Sequence, residues 1–352
     1  MKIAILTIHH VPNYGAMMQA YALKNSVEKL GFDCDVVNYQ PDTATEFYKK
    51  LKGKFPRSIV RGLQRWRFQR FIAKHTLGGN SSVQRTTEQV FESLLDYDCV
   101  ICGSDQIWNA DGFRGLDATF FLGSADLPNT KKISYAASIG STDPLSYPEN
   151  WPVCGDWLQK FDAISVRDTN SAKMVESFGL AAPQLVCDPT LLPSALGEFS
   201  SRQKTDRNRL LLYGPPRAEY ASSIRSIAET NNLKVVSVGA RCKYADRSFF
   251  FADPKEWAGL FSMAKVVVTK YFHGVQLGIL NEALPFYIGS PEKRAKVSDS
   301  LSRYGLEAQW TESPDALNKD SVEAGLAKMK EVGSRRKKVA EESLSWLESQ
   351  LK

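Results

Sequence analysis

Apolar residues fall into two alternating textures along this chain. Short, nearly unbroken runs read as strands buried on both faces: KIAILTI at 2–8, FDCDVVNY at 32–39, YDCVIC at 97–102, KKISYAA at 131–137, AISVRD at 163–168 and PQLVCD at 183–188. Between several of them the apolar positions recur every third or fourth residue. AMMQAYALKNSVEKLG, at 16–31, puts Met17, Tyr21, Leu23, Val27 and Leu30 near a 3.6-residue period, and Gly31 stands where a helix stops. Strands alternating with helices predict a parallel, doubly wound sheet.

The texture turns polar in LLPSALGEFSSRQKTDRN, which places a linker at roughly 193 to 207. A second α/β set follows: strands at RLLLYGPP, KVVSVGA, KVVVTKY and PFYIG, and helices at EYASSIRSIAETNN, PKEWAGLFSMA and GVQLGILNEA. The last 33 residues form one long helical pattern, interrupted by Gly333. The expected organisation is α/β. It has a Rossmann-like domain over 1–195, a second over 196–319, and a C-terminal helix over 320–352. Two such domains facing across a cleft would hold a ligand at their strand C-termini.

Charge changes this picture at one place. Of the chain's 45 Lys and Arg, ten lie in residues 49–74 with no acid among them, more than the whole net charge of +6, so the remainder is net acidic. Drawn as a helix, that segment puts Ile59, Leu63 and Trp66 on one stripe with Val60 and Phe71 beside it. Arg57, Arg61 and Arg65 line another face, and Phe68 and Ile72 lie opposite the stripe. A basic amphipathic helix of this kind predicts contact with an anionic membrane surface, the alternative being a helix packed on the first domain. The opening apolar run is too short for a secretory signal, and no stretch approaches a membrane span. The six cysteines are scattered through strand-like runs, which fits a reducing cytoplasm rather than disulfides or zinc.

Candidate chemistry gathers in loops at strand ends. HHVPNYG puts Asn13 and Tyr14 at a helix N-terminus, as sugar contacts or as a cap and a packing residue. GSDQIWN (103–109) offers the carboxylate of Asp105, the amides of Gln106 and Asn109, and the indole of Trp108. That set suits sugar hydroxyls and a sugar face, or a capping loop over a core tryptophan. Arg167 opens another turn and could hold an anion. In KYFHG, His273 and Gly274 begin a helix beside Lys270, which makes His273 a candidate general acid. Walker, GxGxxG, GxSxG and HExxH patterns are absent, no metal-ligand cluster shows, and nothing beyond the basic segment suggests nucleic-acid binding.

Taken together, these loops resemble the polysaccharide pyruvyl transferase family. NYGAMMQAYAL is similar to its N-terminal NYGAxLQAYAL motif, GSDQIWN matches its signature letter for letter, ISVRD with VCDPTLL resembles its mid-chain pair, and FHG its C-terminal motif. The likeness runs in order over about residues 3 to 290. It implies a GT-B-like fold and a transferase in cell-surface polysaccharide biosynthesis. The donor would be phosphoenolpyruvate as co-substrate, with no separate cofactor or metal. The acceptor would be a saccharide, carried on a polyprenyl diphosphate at the cytoplasmic face of the membrane, and the product a pyruvate ketal. On this reading Arg167, Lys270 and Gly274 bind the donor and His273 is the acid. Asp105 handles the acceptor hydroxyl among Asn13, Tyr14, Gln106, Trp108 and Asn109. One departure stands out: the family carries Arg-x-His where this chain has Tyr271 two residues before His273. That leaves two rivals, a nucleotide-sugar glycosyltransferase and a non-catalytic relative that binds glycan or lipid.

Overall fold

A computed structural model describes residues 1–50, 57–77, 82–112, 114–123, 125–193, 195–196, 199, 207–289 and 294–352. Residues 51–56 of the basic segment and most of the linker expected at 193–207 lie outside the described residues. The chain divides into two compact units, Met1–Ala195 with Ala340–Lys352, and Leu196–Val339.

The first unit runs β1 (Lys2–Leu6), α1 (Tyr14–Lys29), β2 (Asp33–Val36), α2 (Asp42–Lys50), α3 (Arg57–His75), α4 (Thr87–Leu94), β3 (Cys99–Cys102), β4 (Lys131–Ala137), α5 (Tyr147–Asn150), α6 (Val153–Leu158), β5 (Ala163–Val166), α7 (Thr169–Ser177) and β6 (Gln184–Leu185). Its six strands are all parallel in the order β2-β1-β3-β4-β5-β6. The apolar runs are central strands: every residue of CVIC is buried. Because β2 lies on one side of β1 and β3 on the other, the connections diverge between β1 and β3 and open a crevice at the C-terminal ends of those two strands. The loops 7–13 and 103–109 flank that crevice.

The second unit repeats the plan with β7 (Arg209–Tyr213), α8 (Ala221–Thr230), β8 (Lys234–Val238), β9 (Arg247–Phe249), α9 (Pro254–Ser262), β10 (Ala264–Thr269), α10 (Phe272–Leu280), β11 (Leu284–Ile288), α11 (Arg294–Arg303) and β12 (Trp310–Thr311). The parallel order is β12-β11-β10-β7-β8-β9, so the divergence falls between β7 and β10. The final helix α12 (Lys319–Leu351) is unbroken through Gly333, contrary to the expected interruption. A single glycine in a 33-residue helix costs only about 1 kcal/mol, too little to stop it. Its last turns belong with the first unit, where the Cys187 N–H donates to Ser343 Oγ (2.9 Å) and Trp346 meets Tyr135.

Candidate functional sites at the strand ends

The first crevice is bolted by Gln19, a fully buried amide on α1. Its Nε2 donates to Thr7 Oγ1 (2.9 Å) and the carbonyls of Ile8 and Ala16, while its Oε1 accepts from the Ser104 N–H (3.2 Å). Thr7 Oγ1 in turn donates to the Ser104 carbonyl. The loops after β1 and β3 are thereby locked through one side chain. Sequence reading passed over Gln19 as a helix residue; the signal was an amide among the apolar positions of MMQAYAL.

Beyond Ser104 the backbone turns sharply. Gly103 has φ +126, and a Cβ there would sit 2.1 Å from the Tyr135 carbonyl oxygen. The Gly103–Ser104 peptide is cis and Asp105 has φ +75, a left-handed value uncommon outside glycine. Asp105 is held there because its carbonyl accepts from the Ser138 N–H and its Oδ1 from the Gln106 N–H (2.8 Å). The carboxylate keeps 15% of its side-chain surface exposed. Gln106 and Asn109 are half-buried, with Asn109 Nδ2 donating to Gln106 Oε1 (3.1 Å). Gly140 leaves room for both amides, since a Cβ on it would fall 2.6 Å from one and 2.8 Å from the other.

Arg167 is placed otherwise than expected. Its side chain is 2% exposed and its guanidinium is surrounded by carboxylates. Nη1 donates to Asp188 Oδ2 (3.2 Å), Nη2 to Asp105 Oδ1 (3.4 Å), and Nε lies 3.8 Å from Asp168 Oδ2. Asp168 also caps α7 through Ser171 and accepts from Ser138 Oγ, and Asp188 accepts from Thr190. Three anions around one cation repel phosphate, so the guanidinium here ties ISVRD to VCDPTLL rather than facing a donor. Trp108 is likewise no sugar platform: it is fully buried, donates Nε1–H to the Phe120 carbonyl (3.0 Å) and stacks on Phe121. Tyr14 is buried edge-on to Phe68, its hydroxyl accepting from Gln64, while exposed Asn13 caps α1 by accepting the Gly15 N–H. For both, packing and capping won because a helix N-terminus needs an acceptor and α1 needs an inner face.

Both histidines after β1 have pKa values lowered by burial. His9 is enclosed, its ring between the Thr7 carbonyl and Asn38 Oδ1, and burial lowers its pKa against the help of those two hydrogen bonds. Burial, then His9 and Arg114, pushes His10 down to about 3. Among the described residues no group of three or more His, Cys, Asp or Glu is arranged to hold a metal.

In the second unit, a cavity of about 690 Å³ opens at the divergence between β7 and β10. Arg217 and Lys270 bring cations to its wall, Glu219 and Glu312 carboxylates, and Tyr220, Tyr271 and Tyr287 aromatic surface. Gly214, φ +68, admits the neighbouring side chains, since a Cβ there would lie 2.4 Å from the Tyr271 ring. Lys270 is exposed, its Nζ 5.8 Å from the Tyr271 centroid. Arg217 was missed in the sequence; the signal was its place in YGPPR, just after the first strand of the second unit. His273 is buried in the first turn of α10 and is not among the cavity-lining residues. Gly274 serves packing rather than anion binding. Its N–H donates to the Tyr271 carbonyl (3.0 Å), and a Cβ on it would fall 2.2 Å from Thr269 Oγ1.

A sequence model of the family described as polysaccharide pyruvyl transferase matches residues 13–283. No curated protein matches at a significant level. Among solved structures, the chain is similar to an assigned UDP-N-acetylglucosamine 2-epimerase from Listeria monocytogenes, with TM-score 0.59 and 12% identity over 100% of this chain and 97% of that one. It is also similar to S. aureus MnaA in a co-structure with UDP (TM-score 0.53, 14% identity, 97% and 94% covered). A third is Anabaena Alr3699/HepE in complex with UDP and glucose (0.52, 10%, 100% and 98%). At such identities the likeness is one of fold, GT-B-like with two Rossmann-like halves.

Proposed function

Because the chain belongs to the polysaccharide pyruvyl transferase family, whose members are transferases that modify polysaccharide, we propose that it moves the pyruvyl group of phosphoenolpyruvate onto two hydroxyls of a saccharide. The observation that carries the donor assignment is the cavity at the β7/β10 divergence, which both Lys270 and Arg217 line. Each cation brought within about 4 Å of a donor anion is worth roughly 4 kcal/mol at an effective dielectric of 20. Glu219 and Glu312 balance these charges, so an anion is held by direct pairing rather than by the field of the cavity as a whole.

We assign the donor to the cavity of the second unit, and the orienting of the acceptor to Asp105, Gln106 and Asn109 of the first. A proton delivered to C3 of the enol phosphate makes C2 electrophilic, and His273, two residues after the cavity-lining Tyr271, is the candidate acid. One acceptor hydroxyl adds to C2 and loses its proton. The C2–O bond to phosphate breaks, the second hydroxyl adds to C2, and its proton leaves with the phosphate. Donor and diol are thereby converted to ketal and inorganic phosphate.

A nucleotide-sugar reading has one observation in its favour. Three tyrosines line the cavity, Tyr271 among them, and two proteins of similar fold carry UDP. Incubation of the enzyme with phosphoenolpyruvate and lipid-linked saccharides, read by mass spectrometry and phosphate release, separates the two. A pyruvate ketal adduct with stoichiometric phosphate, and a raised KM for phosphoenolpyruvate in Lys270→Ala, support pyruvyl transfer. Release of UDP from a UDP-sugar, with no phosphate from phosphoenolpyruvate, overturns it.

A further inference from the structure

Helix α3 carries a second surface, distant in chemistry from either strand-end site. Its inner face is set by packing: Phe68, Phe71 and Ile72 are buried, Phe68 edge-on to Tyr14 at 4.7 Å and Phe71 5.9 Å from Tyr21. Phe71 therefore does not belong with the outer stripe to which the sequence pattern assigned it. At 100° per residue, the positions left facing away among the residues whose burial is described are Gly62, Leu63, Trp66, Gln69, Arg70, Ala73 and Lys74, and all of them are exposed. Leu63 keeps 44% of its surface and Trp66 53%, and the Arg70 guanidinium lies 5.5 Å from the indole centroid. The helix thus has two apolar stripes and spends only one on its own fold.

Charge says what the other one meets. The 19 residues of α3 include five arginines and one lysine and no acid, in a chain whose residues outside 49–74 are net acidic. A leucine and an indole at the centre of an outward face, flanked by cations, match the boundary between acyl chains and anionic headgroups. A nucleic acid would find the cations but would also meet the acidic remainder, and would leave Leu63 without an apolar partner.

We propose that the outward face of α3 docks on an anionic lipid bilayer, with Leu63 and Trp66 entering the headgroup boundary and Arg70 and Lys74 meeting lipid phosphates. The full chain is sedimented with vesicles of phosphatidylcholine alone or mixed with phosphatidylglycerol, at low and high salt. Binding requires the anionic lipid and is released by salt. Arg70→Glu with Lys74→Glu lowers partitioning at least about tenfold. Leu63→Ser with Trp66→Ser lowers it as well and removes the quenching of tryptophan fluorescence by brominated lipid. All four positions are exposed, so thermal melts stay at the wild-type value. Equal binding to both vesicle types, binding unchanged in either double variant, or binding to duplex DNA without binding to vesicles overturns the proposal.

Discussion

Replacing Arg167 tests whether that side chain belongs to the fold or to the donor site. Arg167→Met removes the cation, keeps much of the length, and strands three carboxylates, of which Asp188 has no exposed side-chain surface and Asp168 only 3%. Breaking a buried ion pair by deleting one partner costs about 3–5 kcal/mol. The lower end applies, because Asp168 keeps hydrogen bonds from Ser171 and Ser138, and Asp188 keeps those from Thr190. For a unit of this size 1 kcal/mol shifts the melting temperature by roughly 2–4 °C, so the first unit should melt about 6–12 °C lower. Circular dichroism of the full chain during heating reads this directly, and Arg167→Lys should fall between, restoring charge without the forked geometry. Asp105→Asn makes the complementary case. It removes one of three mutually repelling charges at the most exposed position, so stability should change by less than about 1 kcal/mol while turnover drops. If Arg167→Met melted within about 2 °C of wild type and lost phosphoenolpyruvate affinity instead, the assignment of the guanidinium to the fold would be refuted.

Acidification should unfold the first unit through its buried histidines. Unfolding returns His9 and His10 to about 6.5, so between that value and about 3 the unfolded chain binds protons that folded His10 does not. Stability is therefore complete above about pH 6.5 and falls as pH drops, by up to about 1.4 kcal/mol per pH unit for His10. Denaturant titrations at pH 7.5 and 5.5 should show this, and His10→Asn should reduce the slope; equal midpoints would refute it. Gly274→Ala should destabilise the second unit by about 1–3 kcal/mol through the clash with Thr269, which a melting assay reads; an unchanged melting temperature would refute it. His273→Gln should keep the melting temperature and lose on the order of 10²- to 10⁴-fold in turnover; near wild-type turnover would remove it from the reaction. Native protein should react slowly with thiol reagents, since burial pushes Cys99 and Cys154 up to about 12 and all six thiols are buried; fast labelling of any one would contradict that packing.

The alternation of apolar runs with 3.6-residue periods gave both sheets, because parallel strands buried on two faces leave an unbroken apolar signature. What stayed hidden was short or two-faced. Strands β9 and β12 hold three and two residues at sheet edges, too few to show a pattern. Helix α3 has apolar residues on both sides, and composition does not say which side folds inward; only the contacts of Phe68 and Phe71 with α1 decide it. The polar loops were legible as sites but not residue by residue. Spacing cannot distinguish an indole that faces a ligand from one that fills the core beneath it.

That ambiguity has a physical source in GSDQIWN itself. A carboxylate presented at a strand end needs a backbone that turns steeply, and Gly103 with the left-handed Asp105 supplies the turn. Such a loop would collapse without support on both sides. Trp108 anchors its far end in the core, Gln106 and Asn109 brace it against Gly140, and Gln19 and Arg167 tie it to α1 and to the strand end at β5. Of seven letters, Asp105 and the half-buried edges of the two amides are left for chemistry, and the others fix where that chemistry stands. The same division recurs after β10, where Thr269 Oγ1 donates to the Tyr213 carbonyl and accepts the Tyr271 N–H, and Gly274 permits that closeness. A motif of this kind is mostly scaffold. Substitution at Gln19, Trp108, Arg167 or Gly274 should therefore act first on stability and only through it on turnover, whereas Asp105, Lys270 and His273 should act on turnover at constant stability. A melting curve beside each kinetic measurement makes that division measurable, and a scaffold variant with an unchanged melt and lost turnover would move its residue across the line.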